Sequence, residues 1–166
     1  QLIGAYNFPN CCAAIVMGKY FNVPLVDIKA AIEGYQPKNN RSQILSKNGF
    51  QIILDAYNAN PTSMKAALEN FSTMDTEHKT LIIGDMFELG PTAAKEHQAI
   101  ADLVQELGFE SAYLVGKNFF RTQTSLKKCS TFEDLKEHLI SHPLPKGTLL
   151  IKGSRGMALE RVLDIL

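Results

Sequence analysis

The sequence lacks the features that mark several specialised classes of protein. Its 17 lysine and arginine residues are balanced by 17 aspartate and glutamate residues, so no net charge attracts nucleic acid or an anionic membrane. Its apolar runs are far shorter than the roughly 18 residues that a membrane-spanning helix needs. The sequence therefore predicts a protein that neither binds nucleic acid nor inserts into a membrane.

Cysteine is scarce, and its spacing predicts neither a disulfide framework nor a zinc site. The three cysteines are Cys11, Cys12 and Cys129, of which the first two are adjacent. No CxxC pair occurs, although such a pair is common in structural zinc sites. We expect reduced thiols, as in a protein of the reducing cytoplasm.

Two common phosphate-binding motifs are missing as well. The sequence contains no GxxxxGK[ST] loop. It also contains no GxGxxG dinucleotide fingerprint, because the segment from Lys152 to Gly156 (KGSRG) has a different spacing. If this chain binds a nucleotide, the phosphate contacts of these two motifs are not available to it.

What the sequence does contain is a regular alternation of strand-like apolar runs and helical patterns. Its 166 residues, 45% of them hydrophobic, fit about one domain with a full core. Strands are predicted at 43–46, 51–54, 80–83, 112–115 and 148–151, with a short extra strand at 127–130; helices are predicted at 10–20, 24–35, 61–71, 92–107, 132–140 and 157–166. This alternation predicts an α/β fold, a Rossmann-like and mostly parallel sheet with helices on both faces.

A polar segment, Gln36 to Asn40, separates the first two helices from the strands. It contains Pro37 and offers little to a packed core, so we place a domain boundary after residue 40. Residues 1–40 are then a helical piece of a preceding domain, and residues 41–166 are a complete α/β domain. Because Gln1 is not an initiator methionine and the first residues resemble interior sequence, we expect the chain to be a fragment of a longer protein.

Three loops that follow predicted strands carry most of the polar residues of interest. They are Asp55 to Met64 (DAYNANPTSM), Gly84 to Gly90 (GDMFELG) and Lys152 to Met157 (KGSRGM). Ligands of open α/β sheets bind at the carboxyl ends of the strands, so the three loops should meet at one edge. A purely structural interpretation stays open for part of the first loop, because Asn60 before Pro61 is also a good helix cap.

These three motifs, in this order, resemble the C-terminal motifs of the Mur ligase family. Two upstream segments are similar to the same family: Gly4 to Ala14 (GAYNFPNCCAA) and Tyr35 to Gln43 (YQPKNNRSQ). The resemblance is to the branch that joins D-alanyl-D-alanine to UDP-N-acetylmuramoyl-tripeptide in peptidoglycan precursor synthesis. It implies a monomeric, cytoplasmic, ATP-dependent and Mg²⁺-dependent ligase that acts through an acyl phosphate. It also implies that the phosphate loop and most of the ATP and Mg²⁺ contacts lie in the central domain, upstream of Gln1.

The resemblance assigns six residues to the nucleotide. Asn7 and Asn10 match asparagines that face the adenine, and an amide offers both a donor and an acceptor to such a ring. Arg41 matches an arginine that reaches the ribose and phosphates, and Asp55 matches an acid that holds the ribose hydroxyls. The remaining two positions belong to the same loop as Asp55: Asn58 and Asn60. Arg41 is otherwise an ordinary solvated arginine, and Asn10 is otherwise a helix cap.

The resemblance assigns the acceptor side of the reaction to the other two loops. Lys152, Ser154 and Arg155 match the loop that lines the acceptor site, where Lys152 and Arg155 would bind a carboxylate and offset developing negative charge. Asp85 and Glu88 would hold the acceptor ammonium or order the neighbouring loops, and Glu88 is equally well a solvated loop residue. No metal ligand is assigned.

Two alternatives stay open. A sibling Mur ligase or a folylpolyglutamate-type ligase would be expected to carry a histidine where Asn58 stands. A stand-alone Rossmann-like binding module is compatible with the missing phosphate loop, but not with the additional helices at the start of the chain. His97 lies on an amphipathic helical pattern and is interpreted as a surface or packing residue.

Overall fold

The computed structural model describes residue 4, residues 7–109 and residues 111–166. Its centre is a sheet of six strands: β1 (Gln43–Lys47), β2 (Phe50–Asp55), β3 (Thr80–Gly84), β4 (Ser111–Val115), β5 (Lys127–Cys129) and β6 (Thr148–Lys152). The strand order is β1-β2-β6-β3-β4-β5. Only the β1–β2 pair of this sheet is antiparallel, and the other pairs are parallel. The prediction of a mostly parallel α/β sheet is confirmed.

Six α-helices are present in the described residues: α1 (Phe8–Tyr20), α2 (Leu25–Gly34), α3 (Pro61–Ser72), α4 (Ala93–Glu106), α5 (Lys117–Phe120) and α6 (Phe132–Ser141). The short helix α5 was not predicted. The helix predicted at 157–166 is wrong in type, because that part of the chain forms 3-10 helical segments at Arg155–Met157 and Leu159–Ile165. Ala158, between these segments, has a left-handed backbone with φ of 48°, which no α-helix accommodates. No described helix is long and apolar enough to cross a membrane.

The sheet has an apolar core on each face, because successive strand residues point to opposite sides. Ile53 of β2 belongs to the core that α3, α4 and α5 cover. Its neighbours Ile52 and Leu54 belong to the other core, which α6 and the last 3-10 segment cover. Helices therefore lie on both faces, as the sequence predicts.

The first two helices bury little of their apolar surface. No residue of α1 is buried, and Ile28 is the buried residue of α2. The two helices meet where Ile28 lies against Gly18, a position at which a side chain would collide with the Ile28 side chain. Large exposed apolar residues of this region include Val16, Tyr20 and Leu25.

The segment between α2 and β1 packs more closely than the sequence indicates. Pro37 is buried, so the expectation that the whole segment packs poorly is wrong at this position. Asn39 and Asn40 both have positive φ angles, of 58° and 59°, which asparagine tolerates better than most residues. The Tyr57 N–H then donates to the Asn40 carbonyl oxygen at 3.1 Å, which attaches the end of the segment to the loop after β2.

Candidate functional site

The three polar loops follow three strands that are neighbours in the sheet. β6 lies between β2 and β3, and Asp55 at the end of β2 is the direct register partner of Lys152 at the end of β6. Lys152 is also in register with Ile83 of β3. The strand order therefore brings the DAYNANP, KGSRGM and GDMFELG loops to one edge of the sheet, where parallel α/β folds bind ligands.

Asp55 and Lys152 form an ion pair at this edge. The Lys152 Nζ lies 2.6 Å from Asp55 Oδ2 and 3.3 Å from the Asn58 carbonyl oxygen. The Lys152 side chain is 2% exposed, and that of Asp55 is 17% exposed. The second carboxylate oxygen of Asp55 accepts the Ser42 N–H at 3.1 Å. A buried ammonium needs such a counter-charge, so this pair joins β2, β6 and the start of β1.

The two asparagines of the first loop are engaged in local hydrogen bonds. The Asn58 Oδ1 accepts the Ala59 N–H at 2.9 Å. The Asn60 Oδ1 accepts the Ser63 N–H at 2.8 Å, and the Ser63 hydroxyl oxygen accepts the Asn60 N–H at 3.2 Å. Asn60 is thus the first half of a capping box on α3. The structural interpretation that the sequence left open for Asn60 accounts for its side chain.

A cleft of about 480 Å³ lies between α1, α2 and the start of β1. Three of the residues assigned to the nucleotide line it, although they come from separate segments: Asn7, Asn10 and Arg41. The Asn10 Nδ2 donates to Asn7 Oδ1 at 3.1 Å, and Asn7 is buried whereas Asn10 is exposed. Cys11 also lines the cleft. Amides beside apolar walls suit a flat heterocycle with donors and acceptors on its edge.

Tyr57 is a residue of this region that the sequence interpretation did not single out. The central guanidinium carbon of Arg41 lies 3.8 Å from the centroid of the Tyr57 ring, and that of Arg155 lies 5.5 Å from the same centroid. Both distances are within the range of cation–π attraction. Tyr57 therefore links an arginine assigned to the nucleotide with one assigned to the acceptor.

Asp85 has a structural task that limits its role toward a ligand. Its carboxylate is buried and accepts the N–H of Asn118 at 2.9 Å, the side-chain amide of Asn118 at 3.1 Å and the N–H of Phe119 at 2.9 Å. Gly116 passes so close to this carboxylate that any side chain there would overlap it. Asp85 thus satisfies the first N–H groups of α5. Glu88 is exposed, with a positive φ of 63°, and is free of these constraints.

His97 is a buried packing residue, which agrees with one of its two sequence interpretations. Its Nε2 accepts the Met86 N–H at 2.9 Å, and its Nδ1 lies 2.6 Å from the Ala93 carbonyl oxygen. Nδ1 must therefore carry the proton, so the contact of 3.6 Å between Nε2 and Asp85 Oδ1 is not an ion pair. The ring also meets Phe119 edge-on at 4.7 Å.

The KGSRGM loop holds two buried polar side chains, Lys152 and Ser154, and one exposed polar side chain, Arg155. Ser154 is buried: its Oγ accepts the Phe87 N–H at 2.9 Å, and its own N–H donates to the Asp85 carbonyl oxygen at 3.2 Å. Ser154 therefore fixes the loop after β3 onto the loop after β6. Arg155 is exposed, and the next residue, Gly156, lies so close to the Phe87 ring that a side chain there would collide with it. Arg155 is the cation of this loop that a solute can reach.

No group of three or more His, Cys, Asp or Glu side chains within the described part of the chain is arranged to hold a metal ion. The two buried or half-buried carboxylates of the site, Asp55 and Asp85, are each occupied by donors of the chain itself. The described residues thus offer no pocket of carboxylate oxygens of the kind that magnesium prefers.

Comparisons with known proteins identify the family of this chain. The family model described as Mur ligase, glutamate ligase domain, matches residues 40–155. The UDP-N-acetylmuramoyl-tripeptide–D-alanyl-D-alanine ligases of Treponema pallidum and Bacillus subtilis are 32% and 31% identical to this chain over 99% and 97% of its length. The chain spans 38% of the length of each of these relatives. A crystal structure of MurF from Acinetobacter baumannii covers 98% of this chain with a TM-score of 0.83 and 28% identity, and the chain covers 38% of that structure. The chain belongs to the Mur ligase family.

Proposed function

We propose that this chain is the C-terminal part of an ATP-dependent ligase that joins D-alanyl-D-alanine to UDP-N-acetylmuramoyl-tripeptide, a step of peptidoglycan precursor synthesis. The relatives of Treponema pallidum and Bacillus subtilis carry this reaction in their names. The observation that carries the proposal is the cleft, because Asn7, Asn10 and Arg41 were assigned to a nucleotide from separate motifs and all three line it.

The reaction would proceed in two steps that the site can assist. The terminal carboxylate of the tripeptide attacks the γ-phosphorus of ATP, which gives an acyl phosphate and ADP. The amine of D-alanyl-D-alanine then attacks the acyl carbon, phosphate leaves, and an amide bond is formed. Positioning and the neutralisation of negative charge dominate catalysis of such transfers. Mg²⁺ bound to the ATP phosphates would supply part of that neutralisation, with protein ligands from outside the described residues.

The nucleotide would contact the side chains that line the cleft. We assign the adenine edge to Asn7 and Asn10, and the ribose or phosphates to Arg41. Asp55 has one carboxylate oxygen bound to Lys152 and the other to the Ser42 N–H, so a ribose hydroxyl would have to share these oxygens. Asn58 is exposed and is the second candidate of this loop, whereas Asn60 acts mainly through the cap of α3.

The acceptor would meet the KGSRGM loop. We assign the free carboxylate of the acceptor to Arg155, because the Arg155 side chain is exposed and a guanidinium can bind a carboxylate through two hydrogen bonds. Lys152 would add positive potential from beneath the surface while it holds Asp55, and Ser154 would hold the loop in place. Glu88 is the better candidate for the acceptor ammonium, since the Asp85 carboxylate already accepts three hydrogen bonds.

We further propose the organisation and setting of the protein. Residues 1–40 would belong to the central ATP-binding domain and residues 41–166 to the C-terminal domain. The working enzyme would be a monomer of the cytoplasm. The three free cysteines, Cys11, Cys12 and Cys129, are compatible with a reducing compartment.

A ligase assay on the complete enzyme that contains this chain tests the proposal. Phosphate release is measured with ATP, Mg²⁺ and one of two substrate pairs: UDP-N-acetylmuramoyl-tripeptide with D-alanyl-D-alanine, or a folate with L-glutamate. We expect turnover only with D-alanyl-D-alanine as the acceptor. We also expect Arg41→Ala to raise the KM for ATP strongly. Arg121→Ala removes the same charge at the end of α5 and should not raise this KM. Turnover only with the folate and L-glutamate would favour a folylpolyglutamate-type ligase and overturn the proposal. The chain by itself, which has no phosphate loop, should show no turnover.

A further inference from the structure

Tyr57 lies between the two halves of the proposed site. It follows β2, the residue is 36% exposed, and its N–H donates to the Asn40 carbonyl oxygen. Its ring has the Arg41 guanidinium at 3.8 Å and the Arg155 guanidinium at 5.5 Å. One ring therefore contacts a cation that precedes β1 and a cation that follows β6.

The arrangement places two like charges near one ring. Arg41 and Arg155 repel each other, and neither takes part in an ion pair among the described residues. Lys38 adds a further cation to a second cleft, of about 760 Å³, that Arg41 and Tyr57 also line. The negative face of an aromatic ring attracts a guanidinium without neutralising it. Tyr57 can thus hold both arginines in place while it leaves their charges available to an anion.

We propose that Tyr57 is a positioning residue that holds Arg41 and Arg155 on one ring and so couples the nucleotide side of the site to the acceptor side. The inference rests on the proposed function, because it takes ATP and the acceptor dipeptide as the two anions. An anion that fixes Arg41 also fixes the ring, and the ring then presents Arg155 in a defined orientation. The occupied nucleotide site thereby favours binding of the acceptor carboxylate.

The geometry is tested first, on the chain itself and without any ligand. A guanidinium over a ring face shows upfield-shifted side-chain protons in NMR spectra. We expect such shifts for Arg41 and Arg155, their loss in Tyr57→Leu and their retention in Tyr57→Phe, which keeps the ring. Tyr20→Leu, which removes an exposed ring of α1, is the control and should leave both arginines unchanged. Arginine signals that do not respond to Tyr57→Leu would overturn the proposal.

The coupling is tested in the complete enzyme by steady-state kinetics. Tyr57→Leu should raise the KM for ATP and the KM for D-alanyl-D-alanine, each by about two- to fivefold, which is the effect of losing an exposed cation–π contact. Arg41→Ala should act mainly on the first KM and Arg155→Ala mainly on the second. Tyr57→Phe should restore both values. A purely structural role would instead lower kcat and the melting temperature in parallel, without this division between substrates.

The failure of this inference can be distinguished from the failure of the proposed function. If the complete wild-type enzyme shows no turnover with D-alanyl-D-alanine, the proposed function is wrong, and the NMR experiment still decides whether Tyr57 holds the two arginines. If the wild-type enzyme is active and Tyr57→Leu leaves both KM values unchanged, the coupling through Tyr57 is wrong while the ligase assignment stands.

Discussion

Lys152 illustrates how one residue can serve both the fold and the site. Its ammonium is nearly inaccessible to solvent and is compensated by Asp55, which lies 97 positions away in sequence. The motif predicts that both residues matter, but their pairing depends on β2 and β6 being neighbours in the sheet. Sequence spacing carries no information about that neighbourhood, so the ion pair could not have been predicted from the motifs.

Removing the charge of Asp55 should destabilise the chain. In Asp55→Asn the Lys152 ammonium loses its counter-charge while it stays buried, and we expect the free energy of unfolding to fall by about 3 kcal/mol. Urea unfolding at neutral pH measures this change. The double variant Asp55→Asn with Lys152→Met removes the isolated charge and should recover part of the loss. An unchanged urea midpoint in the single variant would show that the pair contributes little.

Two glycines make a matched pair for a second prediction. Gly116 has a φ of 121°, and a side chain there would overlap the Asp85 carboxylate; Gly34, in α2, has a negative φ and no atom within 4 Å of an added Cβ. Gly116→Ala should therefore lower stability by about 2 kcal/mol or more. Gly34→Ala should be neutral or slightly stabilising, because alanine is the better helix former. Thermal unfolding of both variants compares them, and equal melting temperatures would contradict the prediction.

At the scale of elements, most strands and helices could be predicted because their signals are local. The residues from Gln51 to Leu54 predict a strand by their own composition, and Pro61 marks the start of α3. The elements that could not be predicted depend on distant partners. α5 has four residues, and the carboxylate that satisfies its first N–H groups is Asp85, more than thirty positions earlier. The last segment breaks at Ala158, whose left-handed backbone has no sequence signature.

The start of α6 gives a prediction about pH. Hydrogen bonds from the Ser130 hydroxyl, and next from Thr131, lower the pKa of the Asp134 carboxyl below its ordinary value of 3.8. The folded chain therefore favours the ionised form of Asp134. The stabilisation that the ionised carboxylate gives to the folded chain is fully present above pH 3.8. It is lost as the pH falls through the lowered pKa. The Thr131 N–H donates to this carboxylate as part of a capping box, and the Ser130 hydroxyl donates to the same carboxylate from outside the box.

Asp134→Asn should therefore flatten the dependence of stability on pH in the acid range below about pH 4. Urea midpoints measured from pH 5 downward provide the comparison. Glu137→Gln, which removes an exposed carboxylate from the same helix, is the matched control. If the urea midpoint of Asp134→Asn depends on pH as steeply as that of the wild type, the capping box does not distinguish the two ionisation states of Asp134.

At the scale of the whole molecule, the segment Gln36 to Asn40 is the point about which the proposed domains would rotate. Its end is attached to the proposed C-terminal domain by the hydrogen bond from the Tyr57 N–H to the Asn40 carbonyl oxygen, so Arg41 should move with that domain. We expect small-angle scattering of the complete enzyme to show a smaller radius of gyration when ATP and the tripeptide substrate are bound. An unchanged radius of gyration would count against domain closure.

The cleft that Asn7, Asn10 and Arg41 line has walls on both sides of that segment. A nucleotide bound there would contact residues of both proposed domains at once. The binding free energy of the nucleotide would then depend on the angle between the two proposed domains. Each of these domains alone would present an incomplete site. By thermodynamic reciprocity, a substitution that stiffens the segment in the closed arrangement would tighten nucleotide binding without touching the nucleotide.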